Sequence, residues 1–215
     1  VFDPPPGHLD LLGDAETAEF SPRFDPLDVP GVGSLLARRP MPNAAATLAM
    51  TANPKLDSEV RAEYAIRFVT DHLGDGELER VYVAMMTGDT PTDALERITI
   101  AVATWGTARP YGAVLTLVAT TAHHWRFVRS KLLLAGVPDP MALRSMHVLL
   151  DATESLVMES LAAGGENGGL TRAQFIDRLY SPARNVKPGG AAPAPTGFED
   201  DDTEAAFDAF IAAAR

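Results

Sequence analysis

Apolar residues recur through the middle of this chain at helical intervals, and the pattern changes character once, near Pro110. Asn43 stands where it can cap a short Ala-rich helix. That helix ends before Asn53-Pro54, because a residue ahead of proline is pushed out of the helical well. Asp57 can cap a longer helix, in which Val60, Tyr64, Phe68 and Leu73 recur near one face until Gly74 and Gly76 break it. Leu78, Val81, Tyr82 and Met85 share the face of a third. Thr90-Pro91 predicts a fourth start, Thr90 as cap and Pro91 at the first helical position. Leu95, Ile98, Val102 and Trp105 then form the buried stripe. Gly106 sits where a helix C-cap is expected, and Pro110 prevents continuation.

Beyond Pro110 the pattern predicts one more apolar helix from Tyr111 to Ala135, with Val114, Val118, Trp125, Val128 and Leu132 in line until Gly136 and Pro138 stop it. Asp139-Pro140 repeats the cap-plus-proline device ahead of Leu143, Met146, Leu150, Val157 and Leu161. Gly164-Gly165 ends that helix, and Thr171 with Gln174 makes a capping box for a short helix through Tyr180. Residues 1–42 hold no period of 2 or 3.6 and predict an extended arm with one short helix near Ser34. Nothing alternates as a strand; the Val-rich runs at Ile98–Ala103 and Val114–Ala119 are assigned to helices by their length. The expected class is all-α. Two small helical modules, 43–110 and 111–180, follow the arm, and 181–215 forms a Pro/Gly/Ala linker carrying a tethered acidic C-terminal helix.

Composition narrows the function. A chain of 215 residues that is 46% hydrophobic can bury a real core. The net charge of −11 repels phosphate backbones and anionic membranes, so neither nucleic acid nor membrane is an expected partner. The charge is uneven: −8 over residues 1–110, +2 over 111–187 and −5 over 188–215. An acidic tail therefore follows a mildly basic module, which suits self-association or the binding of another protein. The chain has no cysteine, which removes disulfides, thiolate metal sites and cysteine nucleophiles. Val1-Phe2-Asp3-Pro4-Pro5-Pro6 lacks the basic start and apolar run of a secretory signal, and Ala113 to Ala122 is too short to span a bilayer.

No catalytic constellation emerges. Gly31-Val32-Gly33 follows a proline and has Leu36 at the third glycine position, so a turn is the better reading than a dinucleotide loop. His123 and His124 are adjacent and would project about 100° apart on a helix, whereas one metal wants i and i+4. His8, His72 and His147 stand in separate segments. Acid pairs such as Asp57/Glu59 and Glu77/Glu79 lie at helix starts, where the macrodipole favours them. Arg126, Arg129, Lys131 and Arg144 have few aromatics between them and read as a solvated face or a protein contact. The expectation is a protein that is not an enzyme, with no cofactor and no metal. The run Glu199-Asp200-Asp201-Asp202-Thr203-Glu204 leads into Phe207, Phe210 and Ile211. With Phe198, those three are the candidate partner-binding residues, presented as a docking helix or folded back on the chain's own core.

Several short motifs occur in a recognisable order: Arg39-Pro40-Met41-Pro42-Asn43-Ala44, Asn53-Pro54-Lys55-Leu56, Asp71-His72-Leu73, Met85-Met86, and Ala103-Thr104-Trp105-Gly106-Thr107-Ala108-Arg109-Pro110. This order resembles the tail assembly chaperones of long-tailed phages infecting actinobacteria. The second half resembles the extension of their longer product, through Trp125 and Arg129, Gly136, Pro138-Asp139-Pro140, Leu149-Leu150-Asp151 and Glu154, Leu179-Tyr180, and Phe207-Asp208-Ala209-Phe210. The resemblance implies a long, frameshift-type product whose frames join near Arg109-Pro110. It also implies a role in tail morphogenesis in the host cytoplasm: binding the tape-measure protein and recruiting tail-tube subunits, with the short chaperone form as a further partner. The residues alone leave open a helical regulatory or structural adaptor with an acidic tail.

Overall fold

The structure, a computed structural model, describes residues 23–162 and 168–181. Among them are two strands, β1 (Asp25–Val29) and β2 (Gly33–Ala37), and eight helices. The helices are α1 (Ala44–Thr51), α2 (Ser58–His72), α3 (Glu77–Thr87), α4 (Ala94–Ala103), α5 (Tyr111–His123), α6 (Trp125–Leu134), α7 (Met146–Ala162) and α8 (Gly168–Tyr180). The mostly helical class is as expected, with one small sheet added.

That sheet corrects the expectation of an extended arm and a short helix near Ser34. β1 and β2 form an antiparallel hairpin in the register Leu27↔Leu35 and Val29↔Gly33. Leu27, Val29, Leu35 and Ala37 point inward and are buried, while Asp28 and Leu36 face out. The period of 2 is present but spans only five residues per strand and is interrupted by Pro26 and Gly33. Gly31 and Gly33 take φ of 79° and 103°, a backbone that glycine adopts without strain, and they let the chain reverse at Pro30. A lone hairpin is marginal in water. Here β1 packs on α4, and the end of α2 extends the sheet: Arg38 N donates to His72 O at 2.8 Å and Gly74 N to Leu36 O at 2.8 Å.

The centre of the molecule is α5. Its sequence, Tyr-Gly-Ala-Val-Leu-Thr-Leu-Val-Ala-Thr-Thr-Ala-His, carries no Asp, Glu, Lys or Arg, and Ala113, Val114, Leu117, Val118 and Thr121 are buried. Helices α1, α4, α6, α7 and α8 all contact it. α1 approaches through small side chains, burying Ala44, Ala45, Leu48 and Ala49 between α2 and α5. A single cluster of buried residues runs from Leu27 through Phe68, Ile98, Val118 and Leu149 to Leu179. The turn at Gly106–Pro110 therefore lies over a core shared by the residues before and after it. Trp105 is partly buried against this core.

Four helix boundaries differ from the sequence reading, one of them the start of α8, which lies at Gly168, so that Thr171 and Gln174 stand inside the helix instead of capping it. The helix expected over Tyr111–Ala135 is two, parted at His124, whose φ of −102° and ψ of 24° leave the helical well. The break lets Val128 and Leu132 turn inward while α5 keeps its own stripe. Asp139-Pro140 opens only a three-residue 3-10 turn, Pro140–Ala142, in which Asp139 Oδ1 accepts from Met141 N at 2.9 Å. Leu143 is then extended, and α7 begins at Met146. α4 begins at Ala94 rather than beside Thr90-Pro91, after a turn in which Ala94 N donates to Pro91 O at 3.0 Å.

Phe68 has no exposed surface, so Phe68→Ala is expected to cost about 3–5 kcal/mol, whereas Leu134→Ala at a mostly exposed position stays within about 0.5 kcal/mol. Urea unfolding of the two variants measures the difference.

Candidate functional site

The tract from Trp105 to Pro110 is where segments distant in sequence meet. α4 ends at Ala103 with Thr104 as its C-cap, and Gly106 follows with φ of 87°, where a side chain would be strained. The Arg39 guanidinium lies over the Trp105 ring, 5.3 Å from its centroid, and a Cβ on Gly106 would come within 3.4 Å of Arg39 Nη1. Pro40 O accepts from Met146 N at 2.8 Å, which ties the segment after the hairpin to the start of α7. Thr107 Oγ1 accepts from Arg109 N at 3.2 Å and shapes the turn into α5.

Arg109 then reaches α7. Its Nη2 lies 2.6 Å from Asp151 Oδ1 and 2.6 Å from Glu154 Oε2, and its Nε donates to Glu154 Oε2 at 3.1 Å. The Tyr180 hydroxyl donates to Glu154 Oε1 at 2.9 Å from the end of α8. The side chains of Arg109 and Glu154 are 12% and 17% exposed, so their attraction is little screened, whereas Asp151 at 61% stands in water. Burial alone would lower the Arg109 pKa, but the hydrogen bonds with Glu154, Asp151 and Tyr180 outweigh it and hold the guanidinium charged. Asp151 and Glu154 are three residues apart on α7, so one helix face supplies both carboxylates.

Chemically this cluster is a clamp. Each Glu154 oxygen already has a donor, and the contacts tie the turn before α5 to α7 and α8. Sequence reasoning quoted Arg109, Asp151, Glu154 and Tyr180 without joining them. The usable signal was the pair of carboxylates at i and i+3 beside the buried residues Leu149, Leu150 and Thr153.

His147 is buried on α7, its ring beside the Trp105 main chain without reaching full hydrogen-bond geometry. Tyr111, next along from the turn, has its pKa pushed up to about 12, chiefly by burial and secondly by Glu96.

The other distinctive surface is α3, of which only Val81 is fully buried. Tyr82, Val83 and Met86 are exposed, Met86 by 80%. Leu36 N donates to Glu77 Oε1 at 3.3 Å, and Arg80 bonds both Ser34 O, at 2.9 Å, and Glu77. α3 is thereby held to β2, where the exposed Leu36 and Phe24 meet beside Gly74. The residues Tyr82, Val83, Met85 and Met86 signal this surface in the sequence, since four apolar residues in five cannot share one inward face.

The remaining candidates are dispersed. Gly31-Val32-Gly33 belongs to the hairpin turn. His123 and His124 stack edge to face, 4.6 Å between ring centroids, and no three potential metal ligands gather among the described residues. Arg126, Arg129 and Arg144 are exposed, and Lys131 lies over the Phe127 ring at 5.6 Å. No described helix is long and apolar enough to cross a membrane. Phe198, Phe207, Phe210 and Ile211, and the segment from 182 onward, lie outside the described residues.

Comparison with known families gives two matches. The family described as phage tail assembly chaperone protein matches residues 1–110, just over half of the chain. A family of unknown function (DUF7240) matches residues 120–215. No curated protein and no solved structure matches the chain significantly.

Removing Arg109 would leave Glu154 partly buried and short of its cationic partner. Arg109→Ala is expected to cost about 2–4 kcal/mol in urea unfolding. In a double-mutant cycle, Arg109→Ala and Glu154→Ala should couple by more than about 1 kcal/mol.

Burial also depresses the pKa of His72, His124 and His147. Arg38 adds to the effect at His72, His123 at His124 and Arg109 at His147. Below the ordinary histidine value of about 6.5 the unfolded chain takes up protons first. Stability is thus complete above that pH and falls as the pH drops toward the folded-state values. The melting midpoint is expected to be lower at about pH 5.5 than at about pH 7.5, and His147→Gln should reduce that loss.

Proposed function

This chain belongs to the phage tail assembly chaperone family, and from that premise we propose that it binds the tape-measure protein and brings tail-tube subunits to it during tail morphogenesis, without catalysis. The observation that carries this reading is an apolar face of α3 that nothing among the described residues covers, with Tyr82, Val83 and Met86 outward. A tape-measure chain is long and helical, and before the tube encloses it its apolar stripes would face water. An apolar helix face on a chain of net charge −11 covers such a stripe while keeping the complex dispersed. Methionine suits the task because its flexible thioether side chain adapts to an irregular repeat.

Residues 111–215 extend the part that matches the chaperone family, as a long frameshift-type product would extend a short chaperone. In this reading the chain acts in the host cytoplasm, the phage infects an actinobacterium, and the short form is a further partner. Phe198, Phe207, Phe210 and Ile211 give a second handle, for tube subunits. Holding both partners on one chain raises their effective concentration for each other.

The test is co-purification of the intact chain with tape-measure and tube proteins in parallel. Val83→Asp with Met86→Asp should leave the melting midpoint nearly unchanged, since both positions are exposed, and weaken tape-measure capture at least about tenfold. Phe207→Ala with Phe210→Ala should weaken tube capture by about a hundredfold. Capture of neither protein by the intact chain would overturn the assignment. Unchanged tape-measure capture by the α3 variant would remove that face alone.

A further inference from the structure

Helix α6 has an outer face that nothing among the described residues covers. Only Val128 and Leu132 of this helix are buried. Arg126, Arg129, Leu133 and Leu134 lie outward, and Leu134 is 85% exposed. Neither arginine is in an ion pair among the described residues, although most cations of the first half are: Arg67, Arg80 and Arg97 each hold a carboxylate on their own helix. The face is thus basic toward its N-terminal end and apolar toward its C-terminal end, in a protein that is acidic elsewhere.

The chain carries the complement of this face. Glu199-Asp200-Asp201-Asp202-Thr203-Glu204 is followed by Phe207, Phe210 and Ile211, acidic first and apolar second. In helical form the last three fall at i, i+3 and i+4 on one side. From Asp202 to Phe210 such a segment rises about 12 Å at 1.5 Å per residue, the same as from Arg126 to Leu134. The two patterns therefore match in order and in length when aligned in parallel.

The chain can also reach. α6 and α8 both pack on α5 and α7, so at 8–10 Å between neighbouring axes they lie within about 20 Å of each other. Residues 181–198 separate the end of α8 from Glu199, and eighteen residues span up to about 60 Å when extended. A tethered segment meets its target at an effective concentration on the order of millimolar, far above that of a second copy in dilute solution.

We propose that in the free chain Glu199–Ile211 lies along the outer face of α6, its carboxylates opposite Arg126 and Arg129 and its Phe207 and Phe210 on Leu133 and Leu134. This contact does not depend on which tail protein the chain serves. It does bear on how a partner would take the aromatic residues, since that partner must first displace them from α6.

The full chain allows a direct measurement, because without cysteines a single Ala213→Cys carries a nitroxide at one place. Amides of α6 should then broaden strongly at low salt while those of α3 do not. Raising the salt to about 1 M, where the screening length falls to about 3 Å, should remove most of the effect. Arg126→Glu with Arg129→Glu should abolish it without lowering the melting midpoint, both side chains being exposed, and Asp201→Arg with Asp202→Arg in that background should restore it. Broadening absent at low salt, broadening centred on another face, or insensitivity to the charge reversal would overturn the proposal. So would broadening that appears only between a labelled chain and a separate isotope-enriched copy, which would assign the contact to a second molecule.

Discussion

A helix without Asp, Glu, Lys or Arg has to bury an apolar face against its neighbours, and α5, with Ala113, Val114, Leu117, Val118 and Thr121 buried, imposes that requirement on the rest of the chain. Its threonines do not relieve it: Thr116, Thr120 and Thr121 return their hydroxyls to carbonyls four residues back, and Thr121 also bonds Thr153 of α7 at 2.9 Å. Five helices supply the cover, α1 and α4 from before the turn at Gly106–Pro110 and α6, α7 and α8 from after it. Small residues make the approach close on one side, where Ala44, Ala45 and Ala49 of α1 are buried. Longer aliphatics fill the other, where Leu149 and Leu150 of α7 have no exposed surface. Hydrophobic burial thus joins the two family-matched segments, and Arg109 with Glu154 fixes the angle at which the second leaves the first.

The helices were legible because their apolar stripes persist over ten residues or more; Ile98 and Val102 of α4, or Val114 and Val118 of α5, are buried at the positions their spacing predicts. The hairpin was not, for two physical reasons. Five-residue strands give only two inward positions each, and Pro26 and Gly33 are residues that elsewhere argue against a strand. The break at His124 was hidden as well. Val118, Trp125 and Val128 keep a seven-then-three spacing across it, so the sum of two helical faces imitates one. Cap-plus-proline signals located starts but not extents: Asp139 does cap a turn, yet Leu143 at ψ of 145° ends it. Local chemistry specified the first hydrogen bond, whereas the start of α7 coincides with a long-range one, from Met146 N to Pro40 O.

The clamp was invisible for a different reason. Arg109 and Glu154 are 45 residues apart, and nothing periodic links them. Their meeting depends on the whole of α5, α6 and the first half of α7 being laid down correctly. Such a pair is a consequence of the fold that then restricts it: a guanidinium with Asp151 and Glu154 on one helix, and Tyr180 from another, leaves little freedom in the turn. Arg39 over Trp105 restricts the same turn from the hairpin side.

That concentration of constraints separates the residues that build the molecule from those that can meet something else. Arg39, Pro40, Trp105 and Arg109 lie in the segment that matches the tail assembly chaperone family and each is committed to an internal contact, as are Asp151, Glu154 and Tyr180 of the second segment. Exposed motif residues away from that turn include Met86 on α3 and Arg129 on α6, along with Asn43, Pro54, Lys55, Gly136, Pro138 and Asp139. Internal contacts of this kind hold a scaffold common to related chains, whereas the identity of a partner is read by exposed side chains that cost the fold nothing to change. On the proposed frameshift reading the division goes further. A product ending near Pro110 would keep α1 and α4 but lack α5, leaving the buried face of Ala45 and Leu48 without its cover on that side. Burial of that face would then have to come from another chain, so a short form would be adhesive in a way the long form is not.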